Sequence, residues 1–311
     1  MSSCIVCAVD GSDAARDAVA VGAQFAAAIE FDLVLVHAVE PEWAVVAAAG
    51  PYHREPESPS GRTIEAGRRL LDAVAEDARF PTSVRRRVEI GAPAEVIREL
   101  AEREDAALTV LGTRGRGRLS AAILGSVSAA TISRSSRPVV VVPEGARLRP
   151  GRPIVCAVDD SPAARSATRV ALWLTLRMGG ALVVAHAISD GAPPSASSSP
   201  GVPDRLAELD RKEARRFLAR LAVEEGLGAE VAQRVTHGDE AESIRELAED
   251  EDASLIVVGT RRQGALRSAL GGSVSHDLRS SSRRPVLVVP AGARVPIPTG
   301  RRQRPTWTTT A

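Results

Sequence analysis

The sequence predicts an α/β fold of two tandem open parallel-sheet domains, and two observations carry that prediction. The first is an internal repeat. Ile5-Val6-Cys7-Ala8-Val9-Asp10 returns as Ile154-Val155-Cys156-Ala157-Val158-Asp159, and His37 as His186, 149 residues on. Ala94-Glu95 and Ile97-Arg98-Glu99-Leu100-Ala101 return as Ala241-Glu242 and Ile244-Arg245-Glu246-Leu247-Ala248, now 147 residues on. A repeat of that length defines architecture more firmly than any local propensity. The second observation is a rhythm of short Val/Leu/Ile runs alternating with longer amphipathic stretches, the pattern of a parallel sheet covered on both faces. The 311 residues also suffice for two domains of roughly 150 each.

In the first copy the apolar run Cys4–Val9 reads as strand 1 and the alanine-rich stretch Asp13–Ala28 as helix 1. Strand 2 follows at Asp32–Val39, helix 2 at Thr63–Arg79, strand 3 at Ser83–Ile90 and helix 3 at Ala94–Arg103. Strand 4 is Ala107–Leu111, helix 4 Gly125–Ser135 and strand 5 Pro138–Val142. In the second copy Ser161-Pro162 is a helix-start signal, an N-cap hydroxyl followed by proline in the first turn. The segments 41–61 and 189–203, rich in Pro and Ser, read as long surface loops. The Pro/Gly/Arg stretch 144–151 separates domain 1 (1–147) from domain 2 (148–292), and 293–311 reads as a disordered tail.

Charge narrows the function. The net charge is +1, with −3 over residues 1–147, 0 over 148–293, and +4 in the tail at Arg294, Arg301, Arg302 and Arg304. Neither half carries the basic field that duplex binding needs, so nucleic acid is not an expected partner. No apolar run reaches the roughly 20 residues of a membrane span, and Met1 leads straight into a strand, so a cytoplasmic protein is expected. Cys4, Cys7 and Cys156 form an odd, sparse set of the kind kept reduced in a cytosol. Cys4 and Cys7 spell C-x-x-C, but on a strand they face opposite sides, so buried apolar thiols are expected rather than a redox pair.

The richest segment follows strand 4: Gly112-Thr113-Arg114-Gly115-Arg116-Gly117, then Gly125-Ser126-Val127-Ser128. In an open parallel sheet, ligands bind beyond the carboxyl ends of the strands. Glycines let the backbone approach an oxyanion, and a helix N-terminus offers unpaired N–H groups and a positive dipole end. A phosphate cradle and a merely tight strand-to-helix turn both fit the residues taken alone.

These residues resemble the universal stress protein family, whose nucleotide-binding members carry G-x2-G-x9-G-[ST]. Gly112, Gly115, Gly125 and Ser126 match in full, and the resemblance spans Ile5–Pro143 and Ile154–Pro290. Asp10-Gly11-Ser12 and Asp159-Asp160-Ser161 match the family's start in each copy. The resemblance implies a strand order of 3-2-1-4-5 in each half, and pairing of the two fifth strands as an internal pseudo-dimer; a further homodimer would follow the commonest oligomer symmetry. It also implies ATP, with Asp10 near the ribose and a Mg2+-phosphate region and Asp159 as its counterpart. Ala38 and Ala187 would meet adenine through their backbones. Gly112, Gly115, Gly117, Gly125, Ser126 and Ser128 would line the triphosphate.

The second copy departs at one position. Gly259-Thr260-Arg261 is followed by Arg262 where the motif has glycine, before Gly264, Gly272, Ser273 and Ser275. A side chain there either obstructs the phosphate path or lends a guanidinium to it. Site one is therefore expected to bind ATP and site two to bind it weakly or not at all.

The resemblance implies a nucleotide-responsive regulator of stress physiology. The alternatives are a slow ATPase on the same site and a nucleotide-free scaffold. No P-loop G-x-x-x-x-G-K-[ST] is present, and no second carboxylate is placed by motif to orient water, so no catalytic residue is assigned. His37 and His186 are expected to bond neighbouring backbone. Trp43, Tyr52 and His53 are expected to pack on the loop surface, and Asp13, Asp17, Asp72 and Glu76 to lie on solvated helix faces.

Overall fold

A computed structural model describes residues 4–41, 61–77, 80, 83–113, 125–189, 202–260 and 282–293. The loop residues Trp43, Tyr52 and His53, most of 189–203, and the tail beyond 293 lie outside the described residues. The first half runs β1 (Cys4–Ala8), α1 (Asp13–Ile29), β2 (Asp32–Val39), α2 (Gly61–Asp77), β3 (Val84–Ile90), α3 (Pro93–Arg103), β4 (Leu108–Gly112), α4 (Ser126–Arg134) and β5 (Val139–Val142). The second half runs β6 (Ile154–Ala157), α5 (Pro162–Met178), β7 (Leu182–Ile188), α6 (Val202–Glu224), β8 (Ala232–His237), α7 (Glu240–Asp250), β9 (Leu255–Thr260) and β10 (Val286–Pro290).

The strands lie in the order β3-β2-β1-β4-β5-β10-β9-β6-β7-β8. Each half therefore reads 3-2-1-4-5 from its outer edge inward, and the fifth strands of the two halves pair, as the resemblance implies, so that the two sheets form one continuous ten-stranded sheet. Pairing is parallel except at the centre, where β5 and β10 meet antiparallel with Val141 opposite Val286, Val140 opposite Leu287 and Val139 opposite Val288. These runs are buried throughout. Left at an edge, they would template aggregation, and pairing them removes that hazard.

Because side chains alternate along a strand, the sheet feeds two cores. Ile5, Cys7, Leu33 and Leu35 join α1, α2, α5 and α6 on one face, with Ile154, Cys156, Leu287 and Val289 from the second half. Cys4, Val6, Val34 and Val36 join α3, α4 and α7 on the other. Cys4 and Cys7 thus point into different cores, as the strand periodicity predicts. All three thiols are free and buried, and burial pushes each up, Cys4 to about 11 and Cys156 to about 12.

The halves are joined by more than the sheet. Asp17 does not lie on a solvated face as expected. Its side chain is only 15% exposed and accepts from the Gly145 amide at 2.6 Å and the Arg147 guanidinium at 2.5 Å, which fastens the linker to α1. Gln24 accepts from the Leu148 amide at 3.1 Å. Arg149 then grips Asp252 of the second half, and the Phe31 and Trp173 rings meet across the boundary at 6.1 Å.

Candidate functional site

The site is the carboxyl-end rim of the first half, where β1 and its neighbour β4 run out. After β1 the chain turns through Gly11, whose φ of +85° lies in the left-handed region open to glycine. Asp10 Oδ1 accepts from the Ser12 amide at 2.9 Å and the Ser12 hydroxyl at 2.6 Å. Ser12 Oγ in turn accepts from the Ala15 amide at 3.2 Å and caps α1. One clamp therefore starts the helix and orients the carboxylate.

The second half repeats this clamp. Asp159 Oδ1 accepts from the Ser161 amide at 3.2 Å and the Ser161 hydroxyl at 2.5 Å, and Ser161 caps α5 through the Ala164 amide. Pro162 stands in the first turn, as its sequence predicts. The middle residue differs. Asp160 replaces Gly11, and it is not among the non-glycine residues at positive φ, which among the described residues are Glu30, Asp105 and Asp252.

Beside the clamp, His37 Nδ1 donates to the Val9 carbonyl at 2.7 Å, and His186 Nδ1 to the Val158 carbonyl at 2.8 Å. Both histidines thus bind the end of the first strand of their half to the second, and the half-buried Ala38 and Ala187 follow them on that rim.

β4 supplies the other wall. A Cβ at Gly112 would fall 2.8 Å from the carbonyl carbon and oxygen of Ala14, and one at Gly259 2.6 Å from the carbonyl carbon of Ala163. Both glycines are therefore demanded by the approach of a helix N-terminus to a strand end, whatever else they do. The Thr113 carbonyl accepts from the Gly125 amide at 2.8 Å, and Ser128 Oγ donates to the Gly112 carbonyl at 2.8 Å. These bonds hold the first turn of α4 against the end of β4. Ser128 is buried and engaged there, whereas Ser126 is exposed at the start of the helix. Gly125 is the N-cap, with φ −58° and ψ 147°, and as a glycine it brings no side-chain acceptor of its own to the first N–H groups of α4.

The structure thus brings Asp10, Ala38, Gly112, Gly125, Ser126 and Ser128 to one rim, and Asp159, Ala187 and Gly259 to the equivalent rim of the second half. Gly115, Gly117, Arg262, Gly264, Gly272, Ser273 and Ser275 lie outside the described residues. Sequence reasoning missed the work of Ser12 and Ser161 in fixing the aspartates. The signal was present as D-x-S at the same place in both copies.

The Universal stress protein family matches residues 1–143 and again 151–290. A universal stress protein of Mycobacterium tuberculosis is 31% identical over 296 residues, covering 91% of this chain and 96% of its own length. A second from the same organism is 28% identical, covering 91% and 95%. Among solved structures, a universal stress protein from Archaeoglobus fulgidus superposes with a TM-score of 0.66 over 94% of this chain and all of its own, at 20% identity. That likeness shows the shared fold. With two family matches in tandem, joined through a single sheet and each ending its first strand in the same aspartate–serine clamp, the chain belongs to the universal stress protein family.

Proposed function

We propose that the first half binds ATP, with Mg2+ beside Asp10, and that the protein acts as a nucleotide-responsive regulator. The observation that carries this reading is the start of α4. Its N-terminal amides stand at the sheet rim behind a glycine N-cap without a side-chain bond, pinned beside the strand next to Asp10. Such a terminus favours a phosphate oxyanion through both its N–H groups and its dipole. On this reading Ser126 adds a hydroxyl donor, and Ala38 on the same rim meets the adenine through its backbone. Among the described residues no three of His, Cys, Asp or Glu converge, so a cation at Asp10 would complete its shell with phosphate oxygens and water. In this role Ser128 serves by holding α4 to Gly112, and Gly115 and Gly117 by admitting the phosphates.

On this reading the second half binds ATP more weakly or not at all, because Arg262 and Asp160 stand where the first half has Gly115 and Gly11. Occupancy regulates only if ATP favours one arrangement of loops or assembly over another. The test is the nucleotide content of the purified protein, released by denaturation and quantified for wild type and Gly115→Arg. A single ATP per chain, lost in the variant, is expected. Absence of nucleotide together with no binding on titration would sink the proposal.

A further inference from the structure

α4 is held to the protein by less than its neighbours are. α3 buries Val96, Ile97 and Leu100 together with Ala94 and Ala101. α1 buries Val19, Val21, Phe25 and Ile29 along with its alanines. α4 buries Ser128, Thr131 and Ile132, so a single large apolar side chain anchors it in the core that also contains Val139 and Val141 of β5, while Val127 is only partly buried. Packing of an apolar face supplies most of what keeps a helix on a sheet, and α4 has the least of the three. Its sequence works against it as well. Six of the nine residues in Ser-Val-Ser-Ala-Ala-Thr-Ile-Ser-Arg are serine or β-branched. Such side chains lose rotamer freedom in a helix or compete for its backbone hydrogen bonds. Isolated helices below about 12–15 residues are marginal in water, so α4 lifted from the sheet is α4 unwound.

The inner face of α4 is lined by hydroxyls. Ser128 Oγ donates to the Gly112 carbonyl, the one side-chain hydrogen bond from that face to the sheet among the described residues. Three residues on, Thr131 Oγ1 is buried with no hydrogen-bond partner among the described residues, and so is Thr109 Oγ1 of β4. Thr109 alternates with Leu108 and Val110, which face the opposite core, so it lies on the α3–α4 side of the sheet. In the second half Ile256 holds the position of Thr109 and is fully buried, so packing there does not call for a hydroxyl. A buried hydroxyl without a partner costs free energy that hydration recovers on opening. Both threonines therefore favour the undocked helix. The two ends of α4 differ. At its C-terminus the buried Ser135 donates its hydroxyl to the Arg137 carbonyl at 2.9 Å and accepts from the Arg137 amide at 3.0 Å, which fixes the exit into β5. At its N-terminus Gly125 supplies no side chain to the first amides.

We propose that α4 is a local order–disorder element: it unwinds from its N-terminal end while the rest of the fold stays intact, and an oxyanion on its first amides winds it back onto the sheet. The coupling to an oxyanion rests on the reading of the first half as an ATP site; the unwinding does not. Bound ligand is then registered as order in α4, and its loss as exposure of the β5 face that α4 covers.

The test is hydrogen–deuterium exchange of the full chain freed of nucleotide, read by mass spectrometry over peptides covering α1, α3 and α4. Relative to unstructured-peptide rates, amides of α4 are expected to exchange at least about 100-fold faster than those of α1 and α3. Thr109→Val together with Thr131→Val keeps shape and removes both hydroxyls; it should slow exchange in α4 about tenfold and leave α1 as it was. The melting temperature of this variant, expected at or above that of wild type, checks that it folds. Ile132→Ala should speed exchange in α4 by at least about tenfold. ATP with Mg2+ at about ten times its dissociation constant should slow α4 about tenfold in the wild type. Exchange in α4 as slow as in α1, or unchanged by the two threonine substitutions, overturns the proposal, and so does bound ATP that leaves α4 exchanging as before. If α4 opens and responds to the threonine substitutions in a chain that takes up no ATP on titration, the unwinding is upheld, and the ATP reading falls together with the coupling built on it.

Discussion

Gly112 is where packing and ligand chemistry make the same demand. A motif glycine next to a candidate phosphate site invites a functional reading, yet its missing side chain is already required by Ala14, whose backbone would lie 2.8 Å from a Cβ there. Backbone cannot move aside as a flexible side chain can. Gly112→Ala is therefore expected to destabilise the nucleotide-free protein by about 1–3 kcal/mol, the usual size of an overpacking penalty, measured by denaturant unfolding. Gly61→Ala serves as the control, since a Cβ there meets nothing within 4 Å; it should leave stability unchanged or raise it slightly. If the two variants unfold alike without nucleotide, Gly112 is kept for its ligand alone. Ser128 carries the same lesson. Its hydroxyl proton is committed to the Gly112 carbonyl, so its part in a phosphate site is to place the helix.

At the scale of elements, the turn between α7 and β9 acts as the anchor for the interdomain linker. Asp252 sits there at φ +47°, and Arg149, Arg152 and Arg284 converge on it. The bond from Arg149, aided by the other two guanidiniums, holds the Asp252 carboxyl below its ordinary value. A carboxyl depressed in the folded state stabilises fully above its unfolded value of about 4 and loses that contribution as pH falls through the depressed one. Asp252→Asn should therefore lower the melting temperature at neutral pH. The gap between variant and wild type should close in acid, and a gap independent of pH would exclude a role for the charge. The arrangement also marks what was legible in the sequence. Elements set by local pattern, such as Pro93–Arg103 and the valine run Val139–Val142, fall within a residue or so of their expected bounds. The aspartates, glycines and serines proposed for the site stood out because two copies display them at matching intervals, and those among the described residues lie on one rim of each half. What local pattern cannot carry is a contact such as Asp17 with Arg147, 130 residues apart, where an acidic residue on a helix looks the same whether it meets water or a linker. For the same reason Gly112 read as a ligand residue: the helix it touches is remote in sequence and near in space.

At the scale of the whole molecule, a tandem repeat raises the question of whether its halves are two folding units or one. The β5–β10 pairing places Val140 against Leu287 inside an unbroken sheet. One core contains Val140 and Val142 together with Leu287 and Val289, and the Phe31–Trp173 contact seals the boundary above it. Separating the halves would expose two fully buried valine-rich strands as naked edges. The energetic coupling therefore exceeds that of linked but independent domains, and unfolding should be one transition. At about 0.7 kcal/mol per residue near 60 °C, the matched spans 1–143 and 151–290 correspond to a calorimetric enthalpy of about 200 kcal/mol. A single unit requires the van't Hoff enthalpy to equal it, whereas independent halves would give about half that value. Val140→Asp discriminates further by burying a carboxylate at the join. In one cooperative unit it lowers a single melting temperature for the whole molecule. If calorimetry instead resolves a first-half transition that shifts while a second-half transition stays in place, the sheet joins two domains that unfold separately.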